Sequence, residues 1–422
     1  MTLTDLSAAQ LAELHAQFQS SYDDLTKAGL KLDLTRGKPS PTQLDLSNDL
    51  LTIDVDTHDA AGTDLRNYGG LQGIPALREI FAELLNVPAD LLVAGGNSSL
   101  TMMYAHVTQA MLFGVPGGQG PWRDQAVKFI CPVPGYDRHF AICERLGIEM
   151  VPVELGEHGP DVDEVATLLQ DPAVKGMWVV PMYANPSGAV YDEDTTRALF
   201  SLPSAAPDFR IWWDNAYALH HLTDEEPRPL DVIAMAAEAG HPDRVLTFAS
   251  TSKVSFAGAG VAFFASSKSN VDAYLKATGY ETIGPDKVNQ QRHVQFLRDA
   301  DGVRALMRRH RELIEPKFQI VRETLEANLG EYGFARWTHP EGGYFVTLDV
   351  LEGTASRVVA LAKQAGIALT PAGASHPRGN DPFDRTIRIA PTFPSEADLR
   401  TAMQALTTCA VLAAVEKLRD KA

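Results

Sequence analysis

The chain has only three cysteines, no apolar run long enough to cross a bilayer, and too few basic residues to balance its acidic ones. Cys131, Cys143 and Cys409 are odd in number, far apart and set among apolar neighbours. They read as reduced core thiols, not as a disulfide framework or a metal site. The missing apolar run argues against a membrane span. With 37 Lys and Arg against 54 Asp and Glu, the net charge is −17. That balance argues against nucleic acid or an anionic membrane as partner, and leaves room for a local basic pocket. The first residues, MTLTDLSAAQ, lack the basic start and apolar stretch of a signal peptide, so a cytoplasmic protein is expected. No internal repeat or low-complexity tract occurs, and no helix-turn-helix module precedes the α/β region.

What is present is an ordinary enzyme-like composition, 45% hydrophobic and 22% charged, over 422 residues. A chain of that length is too long for one core, so a large and a smaller domain are expected. Its most informative stretch is VLTFASTSKVSFAGAGVAFF, from Val245 to Phe264. The apolar, partly β-branched run up to Ala249 predicts a buried strand, and Ser250, Thr251 and Ser252 end it. Lys253 arrives there, before a Gly-containing loop and a second apolar run from Val261 to Ala265. An ammonium so placed must reach solvent, find a partner or be needed for chemistry, because desolvation lowers a lysine's pKa and makes the amine nucleophilic. A snorkelling loop lysine is the competing account.

Along the chain, Ser7 and Gln10 have capping-box spacing before a helix that runs to Leu25. Leu11, Leu14, Phe18, Tyr22 and Leu25 share one face of it. Leu32 to Pro41 is extended and ends in a turn. A helix follows Ile74 with Pro75 at an early, tolerated position. LLVAGGNSSLTMMYAHVTQAML then predicts a strand, a polar turn and a helix whose N-terminus, with Asn97, Ser98 and Ser99, suits phosphate. A merely capped helix is the alternative. Alternating units follow, with strands VKFICPVP, MVPVEL, WVVPMY, RIWWD, VLTFAS and VAFFAS, and predict a parallel βα architecture. Tyr136, Asn185, Asp214 and Lys253 gather at the C-terminal ends of these strands, where open α/β sheets bind ligands. A long charged helix from Gly302 to Leu329, with a kink expected at Pro316, leads to a C-terminal unit. That unit reads as a strand at 343–350, a helix at 355–365, short strands around Ile367 and Ile387, and a last helix from Ser395.

Four fragments in this order, YANPSG at 183–188, DNAY at 214–217, STSK at 250–253 and RIAP at 388–391, resemble the class I/II aminotransferases. These are the pyridoxal-phosphate enzymes of fold type I, and the likeness runs from Leu32 to the C-terminus. It implies an α/β fold with a large domain of mostly parallel sheet flanked by helices, plus a smaller α/β domain. Residues 46–300 would form the large cofactor-binding domain. Residues 301–422 would form the small domain with its linking helix, joined by an N-terminal segment, 1–45.

The resemblance also implies roles. Lys253 would carry the cofactor covalently and, once freed, shuttle a proton. Asp214 would keep the pyridine nitrogen protonated, while Asn185 and Tyr217 would donate to the phenolate oxygen. Tyr136 would stack on the pyridine face. Tyr68, followed by Gly70-Leu71-Gln72-Gly73, would reach the neighbouring subunit's phosphate, which implies a homodimer with shared active sites. Asn97, Ser98, Ser99 and Ser250 would grip the phosphate. The family's arginine eight residues after the lysine is missing, and Val261 stands there. Arg388 would hold the substrate α-carboxylate with a planar fork, helped by the backbone of Gly37, with Arg385 as its competitor.

An aspartate or glutamate substrate needs a second cation. One family branch takes an arginine from a region matching 278–291, where this chain has none and offers Lys287. Arg138, two residues beyond Tyr136, and Arg36, beside Gly37, are the candidates, with surface ion pairing as the alternative for each. The expectation is an aspartate aminotransferase that passes the amino group to 2-oxoglutarate by a ping-pong mechanism. An aromatic or broad-range aminotransferase, a carbon–sulfur lyase of this fold and a cofactor-sensing regulatory module are the alternatives.

Overall fold

The computed structural model describes residues 2–420. Its centre is an eight-stranded sheet. From one edge its order is Leu92–Ala94, Ala262–Ala265, Val245–Ser250, Arg210–Asp214, Val174–Val179, Lys128–Val133, Glu149–Gly156 and Gly159–Pro160. The five strands from Val245–Ser250 to Glu149–Gly156 are parallel to one another. Every residue of Val174–Val179 and Arg210–Asp214 is buried, as strands covered on both faces must be. Trp122, Phe129, Trp178 and Trp212 fill one side of the sheet as a tilted and edge-on aromatic cluster.

Two expectations about the sheet need correction. The run VAFFAS gives strand Ala262–Ala265, which lies antiparallel to both its neighbours. The link back from Ser250 holds no helix that would carry a parallel crossover, so the chain simply reverses. The expected strand WVVPMY is instead Val174–Val179. Pro181 cannot donate to a ladder. The true start is disguised by Lys175, whose ammonium is buried against Asp208 at 2.7 Å.

A three-stranded antiparallel sheet, ordered Arg336–Trp337, Val346–Asp349 and Thr386–Ile389, carries Arg388. The 30-residue helix Ala300–Leu329 runs through Pro316 and leads towards it. The N-terminal helix Ala8–Lys27 begins at the Ser7/Gln10 capping box. It packs on the last helix, Glu396–Arg419. Strand Leu32–Asp33 pairs in parallel with Ile367–Ala368, so the two ends of the chain are built together. No helix among the described residues is long and apolar enough to cross a membrane.

Candidate active site

The five parallel strands all end at one edge of the sheet, and the polar residues picked out from the sequence follow four of them there. Asp214 is the last residue of its strand, Lys253 lies three residues past Ser250, and Tyr136 precedes helix Asp137–Leu146. Asn185 lies on the loop after Val179. Upstream of it, Tyr183 is buried in the left-handed region at φ 53°. Its ring and backbone press on Gly342 and Gly343, where any Cβ would come within 2.3 to 2.8 Å of it. A strained, over-determined backbone of this kind fixes the loop that presents Asn185.

The Lys253 ammonium makes no hydrogen bond or ion pair among the described residues. It lies 4.6 Å from the ring centre of Tyr217 and 5.9 Å from that of Tyr344. Burial lowers its pKa, and the Asp214 carboxylate partly offsets this. The lysine loop is pinned from beneath by two buried histidines. His220 Nε2 lies 3.4 Å from the Lys253 carbonyl and His310 Nε2 3.0 Å from that of Val254. Burial holds both neutral, His310 down to about 4.

Asp214 is 2% exposed. Its Oδ2 lies 3.1 Å from His139 Nε2, and its Oδ1 is buried with no hydrogen-bond partner among the described residues. His139 stacks on Trp178 at 4.3 Å. The sequence reading missed His139. The available signal was its spacing three residues after Tyr136, which puts it in the first turn of the following helix, with the two rings 4.9 Å apart. Burial, then Asp214 and Asp137, push the Tyr136 phenol up to about 12, against the pull of Arg138 and Arg388. Tyr217 is driven well up, chiefly by burial.

From the second sheet, Arg388 reaches Asn185 Oδ1 at 3.3 Å and Asp137 Oδ1 at 3.4 Å through Nη1. Its Nη2 donates to the Thr35 carbonyl at 3.3 Å and Thr370 Oγ1 at 3.2 Å, and Nε is buried without a partner among the described residues. Its competitor Arg385 instead turns towards Glu154, Asp349 and Glu352, each at 3.9 Å. Gly37 has a packing reason of its own, because a Cβ there would lie 2.2 Å from the Phe345 ring that Arg388 overlies.

The small polar residues also come together. Ser250 Oγ donates to Ser252 Oγ at 3.1 Å, and Ser252 Oγ to the Asn97 carbonyl at 3.5 Å. Ser98 caps helix Ser99–Phe113, accepting from the Thr101 N–H. Ser252, absent from the sequence-based set, therefore joins Asn97 and Ser250. Val261 is buried and donates its N–H to Thr251 Oγ1 at 2.9 Å. An arginine side chain at that position would enter the core.

Three cations considered from the sequence fare differently. Lys287 is committed: its ammonium donates to the Asn67 and Gly69 carbonyls, each at 2.7 Å, and so fixes the loop that carries Tyr68. Arg36 and Arg138 are exposed and have no hydrogen-bonded or ionic partner among the described residues. Tyr68 is 80% exposed, and its hydroxyl bonds to no described residue, so within one chain it does not join the site.

The profile of the family described as aspartate amino-transferase matches residues 6–422. The chain belongs to this family. An aspartate aminotransferase from Corynebacterium glutamicum is 49% identical over 419 residues, covering 99% of this chain and 97% of its own. A Mycolicibacterium smegmatis protein bearing an aminotransferase name is 57% identical over 424 residues, with 99% of each chain covered. The crystal structure of the Corynebacterium glutamicum aspartate transaminase superposes with a TM-score of 0.98, covering 99% of both chains at 49% identity. The fold is also that of the Thermus thermophilus α-aminoadipate aminotransferase complexed with N-(5'-phosphopyridoxyl)-L-leucine, with a TM-score of 0.72 at 20% identity and 98% of this chain covered. The protein is accordingly an aminotransferase of the fold type I architecture, and the mixed sheet with its second, smaller sheet is this family's scaffold.

Proposed function

We propose that the protein is a homodimeric, pyridoxal-phosphate-dependent aspartate aminotransferase that uses 2-oxoglutarate as the second substrate in a ping-pong cycle. One observation carries the reading. The buried Asp214 carboxylate has one oxygen held by His139 and the other unpaired, within electrostatic reach of an amine, Lys253, that has no ionic partner among the described residues. A ring N–H and an aldehyde would complete both groups, so the residues present fit the cofactor. When bound, pyridoxal phosphate supplies an electron sink for the substrate carbanion.

Asp214 Oδ1 would hold a proton on the ring nitrogen, with His139 orienting that carboxylate through Oδ2. Lys253 Nζ, its pKa lowered by burial, would take the proton from the substrate Cα and hand it on to the cofactor's aldehyde carbon. Asn185 and Tyr217 would donate to the ring oxygen, and Tyr136 would cover the ring face. Ser250, Ser252, Asn97, Ser98 and the backbone at Ser99 would hold the phosphate with neutral donors and a helix N-terminus in place of a guanidinium. Ser252→Ala should therefore weaken cofactor binding roughly ten- to hundredfold, the loss of about one hydrogen bond to a charged group. Fluorescence titration of the cofactor-free protein checks this.

Arg388 receives the substrate α-carboxylate, and Arg138, or failing it Arg36, reads the distal one. Residues 1–45 and 301–422 act as the unit that presents Arg388. The exposed Tyr68, Phe113, Tyr280 and Ile283, at 62 to 85% exposure, support pairing of two chains. In that pairing Tyr68 serves the neighbouring phosphate.

The substrate reading is tested by half-reaction rates over a panel of amino donors. Aspartate is expected to be fastest, and Arg138→Ala to raise KM for aspartate far more than for alanine. Aromatic or neutral donors outrunning aspartate would overturn it.

A further inference from the structure

Arg388 is held loosely. Its four contacts are all between 3.2 and 3.4 Å, longer than the roughly 2.7–2.9 Å of well-formed hydrogen bonds from a guanidinium to a carboxylate. Three of the four acceptors are neutral. The fourth, Asp137, is the only carboxylate within ion-pair distance of Arg388 among the described residues. Arg388 is in turn the only cation so placed on Asp137. The arginine side chain is 11% exposed and the aspartate 37%. The pair also joins the two sheets: Asp137 opens helix Asp137–Leu146, beside the large sheet, and Arg388 stands on the strand Thr386–Ile389.

We propose that Asp137 is a resident counter-ion of Arg388, which an incoming substrate carboxylate must displace, so that it sets the affinity threshold for carboxylate ligands. The inference rests on the reading of Arg388 as the receiver of that carboxylate. Asp137 has the same chemistry as the group it would yield to, and it can leave at little cost. As the first residue of a helix it keeps a favourable interaction with the helix dipole, and it is already partly in water. An arginine with no such partner would stand 11% exposed with an unsatisfied charge. The aspartate lowers that cost in the empty site and weakens every carboxylate ligand by a similar amount. Selection then falls on ligands that make further contacts.

The test uses succinate, a dicarboxylate without an amino group, titrated calorimetrically into the cofactor-loaded enzyme. Asp137→Asn should tighten binding roughly fivefold, equivalent to the ~1 kcal/mol of a partly exposed ion pair. Asp137→Ser should do the same, which guards against a folding defect in either variant. In an Arg388→Gln background the Asp137→Asn change should have no effect. Unchanged or weaker binding in both Asp137 variants overturns the proposal, as does an equal gain in the Arg388→Gln background, which would mark a diffuse charge effect. If Arg388→Gln alone binds succinate as tightly as the unaltered enzyme, the reading of Arg388 itself fails, and the proposal with it.

Discussion

Lys253→Ala is expected to slow the single-turnover transfer of an amino group by on the order of 10⁴-fold or more, with the fold intact. The group lost is both the attachment point and the proton carrier, and general acid–base catalysis alone is typically worth about 10²- to 10⁴-fold. Stability should change little. The ammonium sits over Tyr217 at 4.6 Å and makes no hydrogen bond or ion pair among the described residues. Its removal breaks no direct contact, and the buried Asp214 carboxylate, which Lys253 meets only through space, keeps its contact with His139. Stopped-flow absorbance with aspartate reads the rate, and thermal unfolding of the cofactor-free protein reads the stability. A variant with more than a few per cent of normal single-turnover activity would remove Lys253 from the chemistry.

The second large effect is expected at Asp214. Asp214→Asn should leave the cofactor bound but lower the rate of Cα deprotonation by roughly 10³-fold, since an amide cannot hold a ring nitrogen protonated as a carboxylate does. His139→Asn should be milder, about 10-fold, because it removes only the orientation of Oδ2 and leaves the charge. The order of the two effects distinguishes a carboxylate that acts on the cofactor from one that serves only its histidine. Cα–²H aspartate should show an enlarged isotope effect in Asp214→Asn, marking that step as rate-limiting. Equal losses in the two variants would contradict the assigned division of labour.

Most of the site's parallel-strand framework was legible because burial on both faces writes a simple signal into the chain. Asp214 and Lys253 stand where such apolar runs stop, and four short motifs in order gave them meaning. The reading failed where local sequence does not report the partner. Lys175 concealed the first half of a fully buried strand, because its charge is cancelled by Asp208, 33 residues away. The direction of strand Ala262–Ala265 depends on what the preceding link can hold, which an apolar run does not encode. His139 looked like any helix residue, since its two partners, Trp178 and Asp214, arrive from other strands. Lys287 could be named as a lone cation in 278–291. That it is committed to the carbonyls of Asn67 and Gly69 follows only from the tertiary packing. Ser252 was passed over because a third hydroxyl in a row carries no signal until Asn97 is brought beside it.

The central claim, a covalent link at one amine, is tested most directly by borohydride reduction of the protein loaded with pyridoxal phosphate, followed by peptide mapping. A pyridoxyl group on Lys253, at one per chain and absent from Lys253→Ala, is the expected result. A protein that remains colourless with added cofactor and yields no pyridoxyl peptide, or yields it at another lysine, would contradict the account.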